Sequence, residues 1–131
     1  GSSGSIIPAD FLDVPLDFAS MRERGAGLGS GALLICAEGT DIVDLAYVLI
    51  RFFKAESCGK CTPCRVGNMQ MLEALDRLRR GMARRADLER LEEIAGYVQK
   101  ASFCGLGQAA PVPILTGLKY FREEFEARVR D

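Results

Sequence analysis

The chain contains no histidine. That excludes imidazole acid–base catalysis, Ser-His and Cys-His nucleophiles, Rieske-type ligation and every zinc site built with a His ligand. Tryptophan is absent as well. No apolar run approaches the roughly 20 residues of a spanning helix, and no signal peptide opens the sequence, so direct membrane contact is not expected. A net charge of −1 leaves no basic footprint for a nucleic-acid partner. Five cysteines cannot all pair within one chain. Their clustering implies a reducing, cytoplasmic setting, peripheral to a membrane complex at most.

What is present is a chain of 131 residues, 48% hydrophobic, long enough to bury a core as one domain or one domain plus a fragment. Its densest chemistry lies in Glu56-Ser57-Cys58-Gly59-Lys60-Cys61-Thr62-Pro63-Cys64-Arg65, where three cysteines follow one another at Cys-x-x-Cys-x-x-Cys spacing. Two-residue gaps let a tight loop turn three sulfurs inward together, as a cubane cluster requires. Gly59 permits the backbone angles of such a loop. Thr62-Pro63 reads as the N-cap and first position of a helix, which places Cys64 in the first turn. Lys60 and Arg65 flank the thiols as surface cations or as counter-charges to an anionic cluster.

Three thiolates leave one corner of a four-iron cubane open. The candidates are Cys36 and Cys104. Cys36 sits within Ala32-Leu33-Leu34-Ile35-Cys36-Ala37, an apolar run expected to be a buried strand, where a thiol packs as a small hydrophobe. Cys104 lies in Ser102-Phe103-Cys104-Gly105-Leu106-Gly107-Gln108, an interruption between helices, and its glycines allow amides to approach inorganic sulfide. Cys104 is therefore the expected fourth ligand, and Cys58, Cys61, Cys64 and Cys104 the expected set. A structural zinc site on the same four residues is the alternative. Cys₄ zinc more often draws on two separated Cys-x-x-Cys knuckles than on a three-plus-one pattern. A dithiol redox centre is the weaker alternative, since it has no use for a third cysteine.

The frame reads as mainly α, a four-helix bundle over residues 40–131 with two cysteine-bearing loops. Thr40, with Asp41 and Asp44, opens a first helix whose apolar residues Ile42, Leu45, Ala46, Leu49 and Phe53 recur at helical spacing, and which ends near Lys54. A second runs from about Pro63 to Arg80 on Cys64, Met71, Leu72, Leu75 and Leu78, and Gly81 stops it. Asp87 caps a third, carrying Leu88, Leu91, Ile94, Ala95 and Val98. A fourth follows Pro111 and Pro113, with Leu118, Phe121, Phe125 and Val129. The connection holding Arg79, Arg80, Arg84 and Arg85 reads as a solvated loop, or as a docking patch for an acidic surface. Residues 1–39 differ, with seven glycines and little periodicity. Ile6 and Ile7 read as a strand end, and Asp17 to Met21 as a short helical turn. Gly25 to Gly31 precede the apolar run rather than follow a strand, which argues for a turn and against a phosphate loop.

The cysteine motif, together with Ser102-Phe103-Cys104, resembles the FMN-containing, NADH-binding flavoprotein subunit of respiratory complex I. It is similar also to the diaphorase subunits of NAD(P)-linked hydrogenases and formate dehydrogenases. The resemblance extends over the whole chain, including Leu12-Asp13-Val14-Pro15-Leu16 and Gly29-Ser30-Gly31. It implies that residues 1–39 are the C-terminal part of a ubiquitin-like β-grasp domain and residues 40–131 a helical [4Fe-4S] domain. It implies a relay of single electrons from FMN to partner subunits carrying further iron–sulfur clusters. The flavin and NAD(H) sites of that family lie in a Rossmann-like region that this sequence does not contain, so the chain is expected to be part of a larger subunit and not to oxidise NADH alone. Gln108 and Val112 stand where complex I would carry an acidic residue and a tryptophan, which is closer to the soluble diaphorases.

Overall fold

The computed structural model describes residues 1–130. Among them, helices follow in the order α1 (Phe18–Glu23), α2 (Ile42–Glu56), α3 (Thr62–Arg79), α4 (Arg85–Ala101), α5 (Gly105–Ala109), α6 (Val112–Tyr120) and α7 (Arg122–Glu126). The expected four-helix frame is present: α2 packs on α3 and α6, and α4 packs on α3 and α6. The two short helices α5 and α7 close its ends against α4.

The buried positions explain the packing. On α2 they are Ile42, Val43, Ala46, Ile50 and Phe53. On α3 they are Cys64, Gly67, Asn68, Met71, Ala74, Leu75 and Leu78, and on α4 Leu88, Leu91, Ala95 and Val98. Each set recurs every three or four residues and makes one stripe. The α3–α4 joint is close because Gly67 has no side chain; a Cβ there would lie 2.1 Å from Val98 Cγ2. Helix starts are secured by acids at positions other than those expected. Asp41, not Thr40, is the N-cap of α2, accepting the Asp44 amide at 3.0 Å. Asp87 lies inside α4 and accepts the N–H of the N-cap Arg84 at 2.9 Å.

The expected fourth helix is broken. It stops at Tyr120, and Phe121 (φ −133°, ψ 32°) turns the chain into α7. The reason is Phe125, fully buried beneath Gly117, where an added Cβ would touch its ring at 3.2 Å. A straight helix would carry residue 125 about 12 Å along the axis from residue 117. The break lets the ring fold back into the core.

Much of the basic connection is ion-paired, Arg79 with Asp44, Arg80 with Asp76 and Arg85 with Glu126 at 3.8 Å, and Arg77 of α3 pairs with Asp87. Arg79 also lies over the Tyr47 ring, 4.0 Å from its centroid.

Residues 1–41 depart further from expectation. The turn expected at Asp17–Met21 is α1, with the Asp17 side chain accepting the Ser20 amide. Ile6 is not a strand end; its N–H donates to Thr116 Oγ1 of α6 at 2.9 Å. The run Ala32–Ala37 is neither a strand nor buried: Leu33, Leu34 and Ile35 are exposed, Ile35 by 84%. A strand forms by pairing, and no strand exists among the described residues to receive it.

Candidate metal centre

Helix α2 ends at Glu56, and Ser57 leaves it in extended conformation. The chain then has only residues 57–61 in which to reach α3. Gly59 makes the turn at φ +73°, which an L side chain rarely adopts. The N-cap of α3 is Cys61 rather than Thr62, so Thr62 and Pro63 occupy the first helical positions. Cys64 falls in the first turn, as expected. Its neighbour Arg65 closes the turn by donating its N–H to Cys61 O at 3.0 Å. The Arg65 guanidinium reaches back to Gly59 O at 3.2 Å. Cys61 and Cys64 are buried, while Cys58 lies exposed on the rim.

The second loop arrives from the end of α4. The Ser102 amide makes the last α4 bond, to Val98 O at 3.1 Å, and Cys104 becomes the N-cap of α5, with its thiol exposed. Two observations bring this loop onto the first. The Phe103 backbone amide is the main influence holding the Cys61 thiol below its ordinary pKa, with the Cys64 amide next; burial opposes them, and the Arg65 charge adds to them. Gly107, buried in α5, sits so close that an added Cβ would lie 3.1 Å from Cys64 Cβ and 2.5 Å from Ser102 Cβ. Gln108 ties the loop internally, its Nε2 donating to Ser102 O at 3.1 Å. Cys104 is thus carried on a loop pressed against Cys61 and Cys64. Cys36 lies exposed in the extended N-terminal segment instead of packing in the core.

Cys64 Sγ is held from two sides. Ser57 Oγ lies 3.2 Å away and also accepts the Gly59 amide at 3.3 Å. From within α3, Asn68 Nδ2 donates to the same sulfur at 3.3 Å. Asn68 is completely buried. Sequence reasoning missed it, although the signal was present: a polar residue four positions after Cys64 occupies the register of an otherwise apolar stripe.

The donor set fits a thiophilic, anionic group: soft sulfur ligands, an amide aimed at Cys61, and two polar side chains aimed at Cys64. Among the described residues, no three Cys, Asp or Glu side chains are gathered closely enough to hold a single metal ion.

Fold and site together define a helical domain that brings two cysteine-bearing loops into contact. Residues 44–128 match the NADH-ubiquinone oxidoreductase-F iron–sulfur binding region, and the chain belongs to that family. It is 39% identical to the NADP-reducing hydrogenase subunit HndC of Solidesulfovibrio fructosivorans, over all of this chain and 27% of that protein. It is 37% identical to the mitochondrial NADH-ubiquinone oxidoreductase 51 kDa subunit of Aspergillus niger, over all of this chain and 27% of that one. The crystal structure of an NAD+-reducing [NiFe]-hydrogenase in the H2-reduced state superposes with a TM-score of 0.88 at 35% identity, covering 99% of this chain and 22% of the hydrogenase chain. The chain therefore spans under a third of the length of these relatives. The family supplies an iron–sulfur binding region, which supports an electron-transfer role, and these relatives are themselves named as subunits of oxidoreductases. Among the described residues no helix is long and apolar enough to cross a membrane.

Proposed function

We propose that Cys58, Cys61, Cys64 and Cys104 ligate one [4Fe-4S] cluster, and that the chain is the electron-relay module of an NADH-linked flavoprotein subunit. The observation that carries this reading is the approach of the Cys104 loop to the three-cysteine loop, through the Phe103 amide and the Gly107 contact with Cys64. When bound, such a cluster accepts and releases one electron at a time. The protein's part is to hold the four thiolates, to direct amides at them and to exclude water on the Cys61–Cys64 side. Zinc on the same residues fits less well. Cys₄ zinc more often draws on two separated Cys-x-x-Cys knuckles than on a three-plus-one set such as Cys58, Cys61, Cys64 and Cys104.

On this reading FMN and NAD(H) bind elsewhere in the parent subunit, outside this chain. The electrons pass to partner subunits that carry their own iron–sulfur clusters, in the cytoplasm. Residues 1–39 are then the end of a β-grasp domain, and Leu33–Ile35 pair with strands supplied by the rest of the protein. Anaerobic purification followed by iron and acid-labile sulfide assay tests the central claim. About four of each per chain is expected. Zinc without sulfide would overturn it.

A further inference from the structure

A completely buried asparagine beside a cysteine demands an explanation, because one of its two polar atoms is unsatisfied. Asn68 Nδ2 donates to Cys64 Sγ, but Asn68 Oδ1 has no hydrogen-bond partner. Leaving a buried carbonyl unpaired is destabilising, because its bond to water is lost and not replaced. A leucine at this position on the apolar stripe of α3 would avoid that cost. The amide is therefore not explained by the stability of the bundle, and its one formed bond points to the sulfur.

The direction of that bond matters. A thiolate has no proton and accepts only, so the Nδ2–H₂ group faces it favourably and the Oδ1 group would repel it. Ser57 is arranged in the same sense. Its Oγ already accepts the Gly59 amide, which leaves its hydroxyl proton free to donate to Cys64 Sγ. The two donors come from different elements, the end of α2 and the second turn of α3, and meet on one sulfur. Cys64 is also the thiol nearest Gly107 of the second loop.

We propose that Asn68 and Ser57 are tuning residues that set the reduction potential of the cluster by donating hydrogen bonds to Cys64 Sγ. This rests on the reading of Cys64 as a cluster ligand. Hydrogen bonds to ligand sulfur withdraw negative charge, favour the reduced state and raise the potential. The two donors thus both act on the Cys64 corner of the cluster.

The test uses the intact protein that carries this chain, purified anaerobically, with Asn68→Leu, Ser57→Ala and the double variant. Iron and sulfide content, the thermal melt and an EPR-monitored redox titration of the cluster are measured for each. The expected result is unchanged iron and sulfide, with a lower midpoint in each single variant and the lowest in the double. At a fixed poise, each substitution is expected to lower the ratio of reduced to oxidised cluster by up to about tenfold, equivalent to about 59 mV for one electron. The melt of Asn68→Leu is expected to be equal to or higher than that of the parent, since the unpaired carbonyl is gone. A full cluster with an unmoved midpoint in both single variants overturns the proposal. So does a lower melt with an unmoved midpoint, which marks Asn68 as structural only. If Asn68→Leu fails to load, Ser57→Ala at its partly exposed position decides alone, by the same midpoint criterion. Full loading of Cys64→Ser with an unaltered EPR signal would refute the ligand reading itself, and is distinct from either outcome.

Discussion

The segments around Cys36 and Cys104 begin from similar chemistry and end in different states. Each puts one exposed thiol in a short apolar stretch with glycines nearby. Around Cys36 the chain is extended, and Leu33, Leu34 and Ile35 lie open to solvent. Around Cys104, Ser102 and Gly107 are buried, Gln108 braces Ser102, and the Phe103 amide reaches Cys61. Exposure alone therefore does not separate the proposed ligand Cys104 from Cys36. What separates them is the backbone next to the thiol, and whether it is tied to the other cysteines.

The largest effect that would break this contrast comes from the two cysteines themselves. Cys104→Ser is expected to lower cluster iron per chain well below that of the parent, since three thiolates leave one iron of a four-iron cubane without a protein ligand. Cys36→Ser is expected to leave iron and sulfide unchanged. Equal loss in both variants would erase the distinction.

A smaller effect separates two glycines of α5. Gly107→Ala forces a Cβ to within 2.5 Å of Ser102 and 3.1 Å of Cys64 Cβ, whereas Gly105→Ala meets nothing within 4 Å. Overpacking of this kind costs roughly 1–3 kcal/mol, so Gly107→Ala is expected to lower both the melting temperature and the cluster occupancy. Gly105→Ala should fall within about 0.5 kcal/mol of the parent, as surface substitutions do. Comparable losses in thermal melts of the two would show that α5 is not pressed on the site through Gly107.

The smallest effect concerns the frame that holds both loops. The Arg84 amide, with Arg77, keeps the Asp87 carboxyl below the usual aspartate range. A depressed carboxylate pKa contributes stability that is present above the unfolded value of about 3.9 and is lost as pH falls through the lower folded value. Thermal melts from about pH 6 downwards should therefore show a decline below about pH 4 that is shallower in Asp87→Asn. Identical slopes would remove Asp87 from the account.

Much of the helical frame was legible because one physical rule governs it. Apolar residues at three- and four-residue spacing on α3 and α4 are mostly the ones that are buried, with Leu72 and Ile94 half-buried, whereas on α2 the stripe is rotated: Val43 and Ile50 are buried where Leu45 and Leu49 were expected. The three-cysteine loop was equally legible, since short covalent spacing leaves few geometries. The errors lie where local pattern depends on distant partners. Ala32–Ala37 has the composition of a buried strand but, among the described residues, no sheet to join. Phe121 continues a helical stripe, yet the burial of Phe125 under Gly117 bends the chain there. Asn68 was missed although its place in the apolar stripe, four residues after Cys64, marked it; the partner that gives it a role lies one turn back.

The missing side chain at Gly67 has a kinematic consequence. Val98 closes on it; Gly67 stands three residues past Cys64, and Val98 six before Cys104. Seen as a hinge between two rods, this contact lies less than two helical turns from either thiol, at about 1.5 Å of rise per residue. Rotation of α4 about that point has a short lever arm at the metal end and a long one at the Arg85 end. A tilt of α4 about that point would therefore change the spacing of the two cysteine loops less than the position of the Arg85 end.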